Sequence, residues 1–288
     1  MGDAGEISVV TDSTAYLPDG LAELLRVSVV PLYVIMGGSS GEEGIDVTPE
    51  QLAAALRERR QHVSTSRPTP SAFAEVYRRC LESGARGVVS IHLSRELSGT
   101  WDAARLAAEE VDPERVKVID SRSAAMGLGF AVLAAAERAG AGAELEEVVR
   151  AAVGTAAATV TLFYVDTLEF LRRGGRIGAA AAVLGTALAV KPLLHVVDGR
   201  IVALEKVRTA SKAIARLADV AVERAGGRLV DVAVQHLAAP DRAERVSAVL
   251  RGRIPRLRRM YTSEVGAVVG AHVGPGLIGV VVAPAQLP

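Results

Sequence analysis

The chain has 288 residues, of which 50% are hydrophobic and only 3% aromatic, and its 33 Lys and Arg residues balance 33 Asp and Glu residues. A neutral chain lacks the basic charge that is typical of nucleic-acid-binding proteins. Cys80 is the only cysteine, which excludes an internal disulfide and CxxC metal or redox motifs. The length fits one large domain or two of ordinary size.

The first half of the chain alternates short β-rich runs with helical patterns. Strands are predicted at residues 7–10, 27–36 (broken or bent at Pro31), 87–92 and 116–119. Helices are predicted at residues 50–60, 70–83, 98–111, 124–139 and 145–155, and residues 63–70 are expected to form a loop. This βαβα order predicts a mostly parallel sheet with helices on both faces.

The second half of the chain predicts a mixed sheet with helices. Asp198-Gly199 separates two β-rich runs, residues 193–197 and 201–207, and is typical of a two-residue hairpin turn. Further strands are predicted at residues 159–165, 230–235, 258–262 and 277–282, and helices at residues 210–225, 241–251 and in a short segment ending at Arg173. We therefore predict an α/β protein of two domains, residues 1–154 and 155–288.

The N-terminus lacks the basic and apolar regions of a secretory signal, which predicts a cytoplasmic protein. The longest uncharged apolar run, residues 177–190, is shorter than the roughly 20 residues that a membrane span needs. Because this run is rich in Ala and Gly, we expect a buried helix rather than a span. A transient contact with a membrane surface stays open.

Hydroxyl side chains cluster before two predicted helices, at residues 64–69 and 94–100. Helix N-termini present unpaired N–H groups and a partial positive charge, so added hydroxyls favour a carboxylate or phosphate site. The alternative is that Thr69 and Ser98 are N-caps of their own helices. Two such junctions on one sheet edge favour a ligand site, because ligands bind at the carboxyl ends of parallel strands.

A glycine-rich segment, residues 266–276, is predicted to be a loop with His272 in its middle. Glycines let a backbone approach a ligand closely, and the imidazole could donate a hydrogen bond to a carboxylate. A structural histidine in a glycine-rich turn is the alternative. Asp12, after the first strand, could cap the next turn or orient a histidine, and the cap is the favoured interpretation.

Arginines surround a Gly-Gly turn and follow the predicted hairpin. Arg172, Arg173 and Arg176 could bind an acidic partner surface or a phosphate, or could only solvate the turn. Arg208 follows the hairpin, and a solvated surface charge is its alternative role.

Motifs of nucleophilic, metal and nucleotide sites are absent from the sequence. It contains no GxSxG, HExxH or GxxxxGK[ST] motif and no GxGxxG after a strand. The remaining histidines occur singly, at His62, His92, His195 and His236. We therefore predict no metal site. A triad of Ser98, His272 and Asp12 can be drawn, but sequence spacing cannot establish it.

Eight motifs of the chain resemble the DegV family in order and spacing. They are Val10-Thr-Asp-Ser-Thr14 with Leu17-Pro18, Thr65-Ser-Arg-Pro68, Ser90-Ile-His-Leu-Ser94 with Leu97-Ser-Gly-Thr100, Val118-Ile-Asp-Ser121, Leu171-Arg-Arg-Gly-Gly-Arg-Ile177, Lys191-Pro192, Glu205-Lys-Val-Arg-Thr209 and Gly270-Ala-His-Val-Gly-Pro-Gly276. The likeness runs over essentially the whole chain.

The resemblance implies a bacterial fatty-acid-binding protein whose two α/β domains enclose one long-chain fatty acid, such as palmitate, without a cofactor. It also implies that Thr65 and Ser98 grip the carboxylate while His272 and Arg208 lie near it. The protein would have no catalytic residue of its own.

Some members of the family are subunits of a fatty acid kinase. A separate ATP-dependent subunit phosphorylates the bound carboxylate, and the acyl phosphate feeds phospholipid synthesis. In this resemblance Arg172, Arg173 and Arg176 match a basic region that is plausible for docking the kinase subunit.

Elementary energetics agrees with a bound fatty acid. Burying about 14 methylenes at about 0.8 kcal/mol each contributes roughly 11 kcal/mol before ordering costs. A carboxylate in a dry pocket must be hydrogen-bonded or protonated, which the hydroxyls and His272 would provide. Two alternatives stay open: a lipid hydrolase that uses Ser98 and His272, and a regulator whose bound lipid serves only as a signal.

Overall fold

The computed structural model describes residues 6–58, 62–183 and 191–285. The strands are β1 Ile7–Asp12, β2 Val27–Val30, β3 Tyr33–Met36, β4 Ser39–Glu42, β5 Val63–Ser66, β6 Gly87–His92, β7 Val116–Asp120, β8 Val160–Tyr164, β9 Lys191–Val197, β10 Arg200–Val207, β11 Val230–His236, β12 Leu257–Glu264 and β13 Ile278–Pro284. The α-helices are α1 Leu21–Leu24, α2 Pro49–Glu58, α3 Pro70–Glu82, α4 Thr100–Val111, α5 Met126–Gly140, α6 Leu145–Ala158, α7 Glu169–Arg173, α8 Ala210–Ala225, α9 Pro240–Arg253 and α10 Ala267–Val273. Short 3-10 helices lie at Ser13–Ala15 and Gly178–Val183.

Four parallel strands in the order β2-β1-β6-β7 form the first sheet. One face packs against α3 and α4, where Phe73 and Tyr77 belong to the same apolar cluster as Val10 and Val88. The other face packs against α5 and α6. Alternate residues of β-strands point to opposite faces, and these strands are apolar on both. The predicted parallel sheet with helices on both faces is confirmed.

A small antiparallel sheet, in the order β4-β3-β5, decides one prediction and corrects another. The run at residues 27–36, predicted to be broken or bent at Pro31, is broken there into two strands in different sheets, because Pro31 lacks the N–H that a continuous ladder needs. Residues 63–66, predicted to be part of a loop, form β5. Three of these four residues carry hydroxyls, so no apolar alternation marked the strand.

The second large sheet has six strands in the order β10-β9-β8-β13-β11-β12. Among the described strands of this sheet, only β11 and β12 pair in parallel, so the predicted mixed sheet is confirmed. The predicted hairpin is also confirmed, with Asp198 and Gly199 at φ 48° and 79° as its turn. Helices α8 and α9 cover one face of this sheet, and α5 packs against the other. Helix α5 therefore lies between the two large sheets.

The predicted domain boundary falls inside a helix. Gly154 lies within α6, and the six-stranded sheet begins at Val160, so the division at residue 154 stays a prediction. Of the predicted buried helix, residues 184–190 lie outside the described residues. The described part is the 3-10 helix Gly178–Val183, in which Ala180 is buried and its neighbours Ala179 and Ala181 are exposed, contrary to that prediction. No helix in the described ranges is both long and apolar enough to cross a bilayer.

Candidate functional site

A cavity of about 390 Å³ lies between the two large sheets. The first half of the chain contributes β5, the segment after β6 and the start of α5, and the second half contributes β8, β13 and α10. Most of its lining is apolar, for example Leu93, Phe163, Val268, Leu277 and Val281. Its volume lies within the range of small-molecule sites.

Polar side chains gather on one part of this wall. Thr65, Ser98 and His272 all line the cavity, although more than two hundred positions of sequence separate the first from the last. Thr65 Oγ1 lies 2.9 Å from His272 Nε2. Ser98 Oγ lies 2.9 Å from the hydroxyl of Thr100. The structure thus brings three of the four residues predicted to bind a carboxylate to one cavity.

The two hydroxyl clusters differ in how they meet their helices. Thr69 is the N-cap of α3, where its Oγ1 accepts the N–H of Ala72, so the capping alternative holds for Thr69. Helix α4 begins at Thr100 rather than at Ser98, and its N-cap is Gly99. Ser98 Oγ accepts a long 3.4 Å bond from the backbone N–H of Thr100, and the residue lines the cavity.

His272 lies on a helix, not in the predicted glycine-rich loop. Helix α10 begins after Gly266, and the Glu43 carboxylate accepts the N–H of Val268 at 2.6 Å. The Tyr16 hydroxyl donates to the same carboxylate at 2.7 Å and accepts the N–H of Val269 at 3.0 Å. These contacts satisfy N–H groups that are otherwise unpaired at a helix N-terminus. They come from more than two hundred residues away, which is why the sequence pattern missed the helix.

Glu43 is a buried acid that the sequence analysis did not single out. Its side chain also accepts a hydrogen bond from the Ser13 hydroxyl, and desolvation raises its pKa despite these donors. A side chain at Gly266 would overlap Glu43 and Tyr16, so this glycine permits the close approach. Glu43 therefore anchors the helix that carries His272.

The imidazole of His272 is neutral at pH 7. Burial and the nearby positive charge of Arg176 lower its pKa to about 4. Its ring packs on Gly174, where any side chain would overlap it. Its Nδ1 is buried and has no hydrogen-bond partner among the described residues. The Nδ1 side of the ring faces Gly174, whereas Nε2 faces Thr65.

The three arginines around the Gly-Gly turn do not act as one group. Arg172 and Arg173 are exposed and bond to the Glu169 carboxylate. Arg176 instead lines the cavity, and its guanidinium donates to the carbonyls of Leu97 at 2.9 Å and Gly174 at 2.6 Å. The prediction that placed Arg176 with a docking surface missed this position.

Comparison with known proteins decides the family. The model of the DegV family, described as a family of uncharacterised proteins, matches residues 6–285. The chain belongs to the DegV family. A DegV domain-containing protein of Streptomyces coelicolor is 59% identical over 276 residues, which cover 96% of this chain and 98% of the relative. One from Mycobacterium tuberculosis is 43% identical over 277 residues, covering 96% of each chain.

Solved DegV structures share the fold. A DegV family protein from Thermus thermophilus, described as binding fatty acid, has a TM-score of 0.92 and 38% identity, covering 97% of this chain and 100% of its own. DegV from Bacillus subtilis, described as a fatty acid binding protein, has a TM-score of 0.88 and 32% identity, covering 98% and 100%.

The catalytic triad considered for this DegV chain does not form. Asp12 Oδ2 accepts hydrogen bonds from His92 Nδ1 and from the N–H of Leu93, both at 3.0 Å. Its other oxygen accepts the N–H of Thr14 at 3.1 Å, so Asp12 both caps a turn and orients a histidine. That histidine is His92 and not His272. Ser98 and His272 therefore lack the carboxylate that a triad would require.

Arg208 lies away from the other three predicted carboxylate ligands. It is exposed after the end of β10. The same hairpin contacts the cavity through Val196 and Ile201, close to its turn, whereas Val207 pairs with Lys191 at the opposite end. The described lining of the cavity does not include Arg208. Within the described part of the chain, no cluster of His, Cys, Asp and Glu could hold a metal ion.

Proposed function

We propose that this DegV protein binds one long-chain fatty acid in the cavity, with the carboxylate beside Thr65, Ser98 and His272. The observation that carries the proposal is an apolar cavity on whose wall the hydroxyls of Thr65 and Ser98 gather with the imidazole of His272. Fatty acid binding by the relatives from Thermus thermophilus and Bacillus subtilis supports it.

The groups at the polar wall suit a carboxylate. Two hydroxyls donate hydrogen bonds to an anion, and the Arg176 guanidinium supplies a positive charge on the same wall. A neutral His272 donates one N–H, and a nearby carboxylate would raise the pKa of its ring toward the usual range. The carboxylate therefore need not be protonated to leave water.

We also propose that the bound acid is presented to an ATP-dependent fatty acid kinase subunit in the cytoplasm, for acyl-phosphate formation ahead of phospholipid synthesis. Ser66 and Arg67 lie on the polar wall and are exposed, which would leave one carboxylate oxygen accessible to a second protein. Arg172 and Arg173 are exposed and come shortly before Arg176 in the sequence, and they remain the proposed docking residues. Phosphoryl transfer would be the work of the partner.

The lipid content of the purified protein tests the binding proposal. Mass spectrometry after denaturation is expected to find close to one fatty acid per chain. The variant Gly279→Leu provides the decisive comparison. Gly279 lines the cavity, and a Cβ there would meet its nearest atoms at an ordinary 3.8 Å, so the larger side chain would fill the space of the acyl chain.

Gly154→Leu is the matched control for this variant. Gly154 is exposed on α6, and a Cβ there meets nothing within 4 Å. We expect the lipid content to fall severalfold in Gly279→Leu and to stay unchanged in Gly154→Leu, with both variants folded. A folded wild-type protein without lipid, which also fails to take up added fatty acid, would refute the proposal.

The kinase role is tested separately. Loaded protein is mixed with ATP and a candidate kinase subunit from the same organism, and acyl phosphate is trapped with hydroxylamine. Acyl hydroxamate is expected only when all three components are present. If none forms with any candidate subunit, the presentation role is wrong while fatty acid binding stands. Hydrolysis of a fatty acyl ester by the protein alone would instead favour the hydrolase.

A further inference from the structure

The cavity has a second end, away from the polar wall. Strand β13 follows its length: Leu277 lies near the turn that ends α10, whereas Val281 pairs with Thr161 at the start of β8. Antiparallel strands rise about 3.4 Å per residue, so these positions are roughly 14 Å apart. Thr161 therefore marks the end of the cavity where the methyl end of an acyl chain would lie.

A separate groove of about 1010 Å³ begins at this end. It lies between the edge strand β7, helix α6 and the strands β8 and β9. Thr161 and Val196 line both the groove and the cavity. They are neighbours across the two strands, since β8 pairs with β9 in antiparallel register with Leu162 opposite His195. Thr161 and Val196 are thus the side chains that the cavity and the groove have in common.

The side chains at this boundary are small. Ser123 also lines the groove, and its hydroxyl lies 3.0 Å from that of Thr161. Gly127 stands behind this pair, where any side chain would overlap both hydroxyls. Thr161 and Val196 are each only half-buried, so their side chains have room to change rotamer.

The groove offers apolar surface to a ligand that passes this boundary. Helix α6 contributes Val149, Val153 and Ala156, and β8 contributes Val160. Val153 is 48% exposed, which is high for a valine beside a groove. Covering such surface with hydrocarbon is favourable, because it removes apolar area from water.

We propose that the groove receives the methyl end of long acyl chains, which leave the cavity between Thr161 and Val196. This inference rests on the proposed fatty acid binding and names its substrate class. The protein accepts long straight-chain acids, with the carboxylate at the polar wall and the last methylenes against α6.

A series of fatty acids of increasing length tests whether long acyl chains leave the cavity between Thr161 and Val196. Dissociation constants are measured for dodecanoic, palmitic, stearic and arachidic acids with the delipidated wild type and with Val196→Phe and Thr161→Met, two variants that narrow the boundary. Val249→Phe, at an exposed position on α9 outside both spaces, is the control for added apolar bulk.

We expect the wild type to bind arachidic acid at least as tightly as palmitic acid. Each methylene kept out of the groove lowers affinity by roughly a factor of four. Both narrowing variants are therefore expected to bind arachidic acid at least about tenfold more weakly than the wild type, with the affinity for dodecanoic acid unchanged. Val249→Phe is expected to keep the wild-type profile.

A measurement on the wild type alone covers the case in which the narrowing variants misfold. Stearic acid that carries a nitroxide near its methyl end is bound, and its reduction by ascorbate is followed by electron paramagnetic resonance. Fast reduction, compared with the same label near the carboxylate, is expected from a methyl end that lies in the open groove.

Two results would refute the proposal that long chains extend into the groove. One is that the wild type binds arachidic acid more weakly than palmitic acid. The other is that a nitroxide at the methyl end is protected from ascorbate. Failure of every acid to bind, dodecanoic acid included, would refute fatty acid binding itself and is distinct from both.

Discussion

Two of the histidines lie in polar clusters of opposite character. His92 is fully buried, and both of its ring nitrogens have partners, Asp12 at 3.0 Å and Ser90 at 2.7 Å. His272 is partly buried, with one nitrogen near Thr65 and the other without a partner among the described residues. A satisfied buried network stabilises one fold, whereas a polar side chain on a cavity wall is available to a ligand.

The comparison also shows why a triad-like geometry is a poor guide to catalysis in this fold. Asp12, His92 and Ser90 form a hydrogen-bonded row that would suit a hydrolase, but all three are fully buried. The hydroxyl of Tyr77 donates to Ser90 and completes the row inside the core. A nucleophile needs access to substrate, and Ser90 has none.

The largest expected effect falls on the satisfied cluster. Asp12→Ala leaves the His92 ring and the N–H groups of Thr14 and Leu93 without an acceptor. We expect the free energy of unfolding in urea to fall by about 3–5 kcal/mol. A loss below about 1 kcal/mol would mean that the row does not support the fold.

Substitutions at the polar wall are expected to act on binding instead. Thr65→Val and Ser98→Ala each remove a hydroxyl from the cavity, and a hydrogen bond to a charged group contributes about 1.5–3 kcal/mol. The affinity for palmitate is expected to fall roughly 10- to 100-fold, measured by displacement of a fluorescent fatty acid.

The stability of these variants sharpens the contrast with Asp12. Urea unfolding of both delipidated variants is expected to stay within about 1 kcal/mol of the wild type. If either variant unfolds at ordinary temperature, that hydroxyl is a structural cap rather than a ligand of the carboxylate.

The ionisation of His272 predicts a pH dependence of stability for the ligand-free protein. Its pKa is lowered from 6.5 to about 4, so between these values the unfolded chain binds a proton that the folded chain does not. The contribution of His272 is therefore present above pH 6.5 and lost as the pH falls toward 4. We expect a loss of about 2 kcal/mol or less, since the ring is only partly buried.

His272→Gln isolates this contribution. Unfolding in urea is compared at pH 7 and pH 5, and the difference between the two is expected to be smaller in the variant than in the wild type. An unchanged pH dependence would show that other groups cause it. The buried Glu43 acts with the opposite sign, because its raised pKa makes stability fall as the pH rises through the range above 4.5.

The smallest expected effect concerns the charge beside His272. Arg176 is the second cause of the low pKa, after burial, so Arg176→Gln is expected to raise the pKa of His272 by a fraction of its total shift. Titration by NMR measures it. Arg172→Gln, at an exposed residue paired with Glu169, is the matched control and is expected to leave the value unchanged. Equal changes in the pKa of His272 in the two variants would contradict a specific effect of the Arg176 charge.

Local patterns in the sequence predicted most of the regular elements. Strand β6, Gly87–His92, and helix α8, Ala210–Ala225, were predicted with the bounds they have in the structure. Periodicity and turn residues suffice for such elements, because their apolar faces and end residues lie within a few positions of each other. The hydroxyl cluster and the glycine-rich segment pointed to Ser98 and His272, and the family resemblance added Thr65; the structure brings all three to one cavity.

What the sequence determined by itself, then, is the α/β class, the order of the elements and the residue types that can hold an acid. Only the tertiary structure decided that His272 lies on a helix anchored by Glu43, that Arg176 joins the cavity, and that Arg208 does not. The physical reason is that these outcomes depend on hydrogen bonds and packing between segments far apart in the chain. No local periodicity records such contacts.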